Sequence, residues 1–260
     1  MKKRLFMSAL ALTLALSGCS TVQQAAAPTA APAPSAAPTA APRPDPEWGE
    51  QVFATAYAVE GREEPVLSPE YRLPEIENAG GIASYEAVNA YYAQALSDLA
   101  AAAAELSGYA VEDSSIAQAT GDPFYPYVDT ETYEITLQSA GRVSFLRSHY
   151  SNMGGPYPTL YPLGDTFDLT TGTRLSFADL FSVSADEAQA RVLDGVIAQN
   201  AGTGYDPAAL RSAYVPEQFY LTEDSLVVYY QEGTLGPHAV GAPTFAVPYA
   251  DLEEILLTWE

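Results

Sequence analysis

The sequence predicts an α+β fold: an antiparallel sheet built from hairpins, with helices packed on one face. Three observations point there. Tyr125–Leu146, Phe167–Leu175 and Phe219–Glu232 each hold two extended runs joined by a tight turn. Helical segments beginning at Ser84 and Ser184 repeat apolar residues at three- and four-residue steps. Regular strand–helix–strand alternation, the mark of a Rossmann-type sheet, is missing, as is any repeat of fixed period.

The elements follow in chain order. Gln51–Glu60 reads as a first strand, with Val52, Ala54, Ala56 and Ala58 alternating against Phe53, Thr55 and Tyr57. Ser68–Ile76 is a second extended piece, expected to break at Pro74. Ser84 is placed to cap a helix that buries Tyr85, Val88, Tyr92, Leu96, Leu99, Ala103 and Leu106, and Gly108 is placed to end it. In the first hairpin, Tyr133, Ile135 and Leu137 face one way and Glu134, Thr136 and Gln138 the other; Ser139-Ala140-Gly141 makes the turn. Thr171-Gly172 turns the second hairpin, and Ser176–Phe181 adds one helical turn. Ser184 and Glu187 form a capping box for a helix running to about Asn200, with Ala188, Val192, Val196 and Ile197 inward. After the third hairpin, Phe245–Leu256 reads as a short strand leading into a short helix. A boundary near Gly121 would divide the domain into two lobes, residues 48–121 and 122–260.

The N-terminus reads as a leader. Lys2, Lys3 and Arg4 precede the apolar run Leu5–Leu16, which is too short to span a bilayer. Leu16-Ser17-Gly18-Cys19 forms a lipobox: the thiol of Cys19 takes a diacylglycerol and the chain is cut before it. Residues 1–18 are therefore expected to be a lipoprotein signal peptide, and Cys19 a membrane anchor on the outer face of the cytoplasmic membrane, or in an outer membrane where the host has one. Cys19 is the single cysteine, so no disulfide forms within the chain. Residues 19–47 are rich in Ala, Pro and Thr, a composition that builds no core and serves as a tether. Its reach runs from about 25 Å if flexible to about 80 Å as polyproline II.

The chain carries 33 acidic and 11 basic residues, a formal charge of −22. Loss of Lys2, Lys3 and Arg4 with the leader leaves eight arginines against 33 acids, hence −25. Such a charge excludes nucleic acid and anionic lipid as charge-driven partners; it suits a basic partner, or solubility alone.

Motifs for chemistry are sparse. The two histidines, His149 and His238, lie too far apart in sequence for HExxH or HxxxH. GxSxG, Walker A and dinucleotide-binding glycine patterns are absent, and Cys19, once lipidated, leaves no free thiol. Asp129, Glu131 and Glu134 lack the glycine and spacing of an EF-hand loop. Asp165–Leu169, "DTFDL", resembles the "TFDD" of polysaccharide deacetylases, but Leu169 replaces the metal-binding aspartate. It reads better as a strand with Phe167 and Leu169 inward and Asp165, Asp168 and Thr170 facing water. No catalytic residue, cofactor or metal is assigned, although a glycosidase pair among the carboxylates stays open. Candidate binding residues are Tyr157 and Tyr161, flanked by prolines in a loop, together with His149 and His238.

Gly154–Phe181, with its Gly-Gly segment, "FDLTTG" hairpin and "FADLF" turn, and Phe219–Leu252, with "FYLT", "GPHAVG" and "VPYADL", together resemble an extracytoplasmic domain of unknown function. That domain is typified by the lysozyme-sensing anti-sigma factor RsiV and also occurs beside peptidoglycan deacetylase domains. The segment from about Val52 to Leu137 is similar to its usual companion domain. The resemblance implies an α+β fold and, by the RsiV type, protein binding. Three departures accompany it: no sigma-binding segment with a membrane helix, no catalytic deacetylase domain, and Pro156-Tyr157-Pro158 where members often have Ala-His-Pro. The expectation is a lipid-anchored binding or sensing module, not an enzyme, for a lysozyme-like basic protein or a cell-wall component such as peptidoglycan. The alternatives are a cell-wall hydrolase or deacetylase with an unrecognised carboxylate site, and a structural envelope lipoprotein.

Overall fold

The computed structural model describes residues 43–258. The expected signal peptide, the lipidation site Cys19 and the tether as far as Pro42 lie outside the described residues. The chain joins the fold at Arg43, so residues 43–47 belong to the domain rather than to the tether. Arg43 donates to the carbonyls of Leu169 and Ala140, and its guanidinium lies 5.3 Å from the centre of the Tyr85 ring. The Tyr85 hydroxyl in turn donates to the Pro44 carbonyl at 2.6 Å.

Strands β1 (Trp48–Ala54) and β2 (Leu67–Ile76) pair antiparallel. The first strand thus starts and ends earlier than its alternation suggests, and Tyr57 keeps only an isolated bridge to Leu67. Pro74 does not break β2. It lies beyond Tyr71↔Glu131, the last pair that β2 makes on its other side, so its missing N–H costs no ladder bond there.

Helix α1 (Ala83–Thr120) is far longer than predicted. Ser84 is buried inside its first turn instead of capping it, and the helix runs through Gly108 to Gly121. Only Gly121 takes the left-handed conformation that ends a helix, at φ 78°, where its N–H returns to the Ala117 carbonyl. Glycine inside a helix weakens it by about 1 kcal/mol without stopping it.

Next come β3 (Tyr127–Gln138), β4 (Arg142–Asn152), β5 (Thr159–Asp168) and the two-residue β6 (Thr173–Arg174). With β1 and β2 they form one six-stranded sheet in the order β1-β2-β3-β4-β5-β6. Strands from both sides of Gly121 share this sheet. Pairing is antiparallel except between β2 and β3, which run parallel with α1 as the crossover. The fold therefore holds one strand–helix–strand unit that the sequence pattern does not announce. In the first hairpin the register shifts between Ile135 and Leu137, a β-bulge. Tyr133 and Leu137, expected on one face, thereby join different cores.

Helices α2 (Ala185–Gln199) and α3 (Pro207–Ala213) precede a second sheet of β7 (Phe219–Leu221), β8 (Ser225–Tyr229) and β9 (Thr244–Pro248), in that order. Ser184 caps α2 by accepting from the Glu187 N–H. The expected C-terminal helix is a single 3-10 turn, Tyr249–Asp251. The α+β class holds, with the helices divided between the sheets. One core joins α1 to the six-stranded sheet through Tyr85, Val88, Tyr92, Phe145, Phe167 and Leu169. The other joins α2 to the small sheet through Ala188, Val192, Val196, Leu226, Phe245 and Val247. Each large side chain so buried contributes about 1.5–3 kcal/mol.

The small sheet meets the large one at β5, whose outer edge is closed by side chains. Glu232 accepts from the Leu160 N–H at 2.9 Å, Gln231 donates to the Pro162 carbonyl at 3.0 Å, and Tyr229 accepts from the Gly164 N–H at 2.9 Å. Arg174 donates to the Gly164 carbonyl at 3.1 Å. A side-chain ladder thus replaces a neighbouring strand. Gly164 lies so close to β7 that an added Cβ would sit 1.8 Å from the Phe219 carbonyl oxygen. Gly164→Ala should therefore destabilise by about 3 kcal/mol or more, whereas Gly108→Ala, in open space on α1, should stabilise by about 0.5–1 kcal/mol. Urea denaturation of the two variants checks both signs.

Candidate functional site

Five of the six strands of the large sheet, β2 to β6, together with α1, bring ionisable side chains together on the face that α1 covers. Asp129 and Glu131 alternate along β3, and Arg147 and His149 along β4. Glu131 is paired with His149 and Tyr133 with Arg147, so the hairpin register sets acids beside bases. Arg147 donates to Glu131 at 2.6 Å and to Asp165 at 2.8 Å. Arg174 of β6 donates to Asp165 at 2.6 Å, and the Tyr91 hydroxyl of α1 donates to the same oxygen at 3.0 Å. His149 lies between two carboxylates: Nδ1 is 3.0 Å from Glu131 and Nε2 is 3.2 Å from Asp129. The Tyr71 hydroxyl donates to the other Asp129 oxygen.

Three acids and three bases thus balance, provided His149 is an imidazolium. Both ring nitrogens face carboxylate oxygens, so both must donate. Burial would lower the His149 pKa, but the bonds to Asp129 and Glu131 outweigh it and push the group up to about 9. For Asp129, burial alone would raise the pKa; the bonds from His149 and Tyr71 hold it below the usual carboxylate value.

Asp165, expected to face water, is only 1% exposed. It lies two residues before Phe167 on the same strand face, which points into the core; Arg147 and Arg174 neutralise it there. Phe167 and Leu169 are inward as expected, and Thr170 is exposed.

The network ends at an open cleft of about 360 Å³ lined by His149, Ser151, Met153, Gly155, Tyr157, Thr159 and Tyr161. A row of rings leads to it across the sheet, Phe53–Tyr71–His149–Tyr161, with centroids 5.8, 6.3 and 6.3 Å apart. Tyr157 is 80% exposed. It also lines a second cleft of about 230 Å³ with Pro158, Glu232, His238 and Ala239. His238 is exposed, with Nδ1 3.7 Å from Glu232. Tyr161, expected in a loop, is instead on β5, paired with His149 of β4; the four residues singled out in the sequence surround one loop, 153–158, with Tyr157 shared between the clefts. Gly154 lets that loop turn at φ 79°, against the Tyr125 carbonyl.

His149 has no free nitrogen for a proton transfer. Glu232, which lines the second cleft, is held by the Leu160 N–H. Among the described residues no group of three or more histidine, cysteine or carboxylate side chains is arranged to hold a metal ion. No helix among them is long and apolar enough to cross a membrane. The buried network escaped the sequence, although two signals for it exist: acids at alternate positions of one predicted strand, and Arg147 with His149 on its partner.

These features define a layered α+β domain with a ring-lined cleft at one end of its main sheet. Residues 178–250, which span the small sheet and its helices, match the family described as "Protein of unknown function (DUF3298)", and the chain carries that domain there. The fold is shared with a crystal structure of a DUF3298 family member from Bacteroides fragilis (TM-score 0.65, 15% identity, covering 82% of this chain and 94% of that one). It is also shared with a DUF3298 family protein from Pseudomonas aeruginosa PAO1 (TM-score 0.56, 16% identity, covering 83% and 96%). No curated protein matches the sequence.

The protonation of His149 makes stability depend on pH. Its folded pKa of about 9 exceeds the ordinary value of about 6.5, so the folded state holds a proton that the unfolded chain releases. The contribution is complete below about pH 6.5 and is lost progressively toward about pH 9, on the order of 3 kcal/mol in all. Urea midpoints measured from pH 6 to 9.5 should fall across this window in the native chain, and the fall should flatten in His149→Gln. An equal slope in both proteins rejects the assignment.

Proposed function

We propose that this protein is a lipid-anchored, extracytoplasmic binding module of the RsiV-ectodomain type that captures a basic, lysozyme-like protein through the loop carrying Tyr157. The observation that carries this reading is Tyr157 itself: a large ring, four-fifths exposed, on a short loop between two paired strands, with a cleft on either side. A tyrosine so held offers wide contact area and loses little side-chain freedom on binding.

Charge supports the same reading. Arg43, Arg62, Arg72, Arg147, Arg174, Arg191 and Arg211 are already engaged with a carboxylate, a backbone carbonyl or an aromatic ring of the fold, and Arg142 is buried in it. The acidic excess therefore dominates what a partner meets, which steers basic proteins toward the domain and speeds encounter. A location on the outer side of a membrane is supported by the resemblance to the RsiV type, the lipobox at Cys19 and the Ala/Pro/Thr-rich stretch after it. A mechanism that uses His149 as a general base is disfavoured, because both its nitrogens are committed to carboxylates.

Calorimetric titration of the mature protein with lysozyme provides the test. Binding is expected at about 50 mM salt and should weaken several-fold at 300 mM. Tyr157→Ala should raise Kd at least about tenfold with an unchanged circular dichroism spectrum. Absence of binding at low salt overturns the lysozyme reading. Release of reducing ends or acetate from peptidoglycan would favour the enzymatic alternative.

A further inference from the structure

The two edges of the six-stranded sheet differ. The β5 edge is closed by Glu232, Gln231, Tyr229 and Arg174, and Pro162 removes one of its donors. The β1 edge has no such closure. Thr55 N–H donates to the Pro69 carbonyl and Tyr57 N–H to the Leu67 carbonyl, which fixes the alternation with β2. By that alternation Glu50, Val52 and Ala54 turn their N–H and C=O groups away from β2. Among the described residues none bonds to those groups. All three residues are exposed, Val52 to 48%. Trp48–Ala54 contains neither proline nor lysine, the residues that commonly blunt an edge.

The border of this edge is acidic. Glu47 and Glu50 lie at or on β1, and Glu75 and Glu77 stand at the facing end of β2. The nearby base, Arg72, is already held by Glu50 at 2.8 Å and Glu70 at 2.6 Å. We propose that the β1 edge is a second docking site, where an extended, basic segment of a partner protein adds as a further antiparallel or parallel strand. Backbone bonds to Glu50, Val52 and Ala54 supply the pairing, and the glutamates select arginine or lysine in the added strand. A second copy of the chain is a poor occupant, since it brings the same Glu47 and Glu50 and the same net negative charge. The chain's own stretch 21–42 is no better: Pro28, Pro32, Pro34, Pro38 and Pro42 remove donors, and it holds no basic residue. This site stands on the strand edge alone and does not depend on Tyr157.

The test is amide hydrogen exchange of the full chain, read by NMR, with a synthetic eight-residue peptide of alternating arginine and valine at millimolar concentration. Exchange at Glu50, Val52 and Ala54 should slow at least tenfold. The same peptide with alternate amides N-methylated, and a glutamate–valine analogue, should leave it unchanged. Val52→Pro should abolish the protection while the circular dichroism spectrum stays native; Ala54→Pro serves if Val52→Pro does not fold. Tyr157→Ala should leave the protection intact. No protection, or equal protection by the N-methylated peptide, overturns strand addition. Equal protection by the acidic peptide overturns the charge selection. Protection that appears without peptide and grows with protein concentration, alongside a dimer in sedimentation, assigns the edge to a second copy and overturns the proposal.

Discussion

The structure depends on one buried electrostatic arrangement, the chain of contacts from Asp129 through His149, Glu131 and Arg147 to Asp165 and Arg174. Carboxylates this deeply buried would be prohibitively costly alone, and breaking such a pair leaves a charge stranded at about 3–5 kcal/mol. Each member therefore constrains the others. Arg147 reaches both Glu131 on β3 and Asp165 on β5, so the three central strands keep a single register. A one-residue slip would turn all of these charges to the opposite face, against the small sheet. Tyr91 and Tyr71 extend the same contacts to α1 and β2, so the crossover helix and the parallel strand are tied to the hairpin that follows them.

The cleft end of the sheet inherits its rigidity from this core. His149 belongs to the network and also forms part of the cleft, so that cleft is lined by a side chain with no freedom to swing. Tyr161 packs near it and Tyr157 stands clear of it. A fixed interior beside a short exposed loop leaves the Tyr157 ring exposed with few bonds free to turn.

Local pattern was enough for some of this molecule and not for the rest. The three hairpins and α2 were legible because their signals lie within a few residues: Ser139-Ala140-Gly141, Thr171-Gly172 and the Ser184 cap. The length of α1 was hidden by Gly108, which looks like a stop although only Gly121 adopts the stopping conformation. The parallel pairing of β2 with β3 was hidden because a 38-residue helix separates the two strands. Short α3 carries too little periodicity to announce itself. Tyr157, Tyr161, His149 and His238 could be named from loop composition and scarcity. The reason His149 is held, however, lies in Asp129, Glu131 and the pairing register, which no single segment displays. Asp165 was misjudged for the same reason, since its neutralising arginines come from β4 and β6.

The clasp at Arg43 gives the domain a polarity. Its two acceptors, the carbonyls of Ala140 and Leu169, belong to hairpin turns at one end of β4 and β5, while the Tyr157 loop joins their other ends. Strand β4 alone, Arg142 to Asn152, separates the two poles by roughly 30 Å at about 3.3 Å per residue. The ring of Tyr157 therefore stands at the pole opposite the point where Arg43 joins the fold.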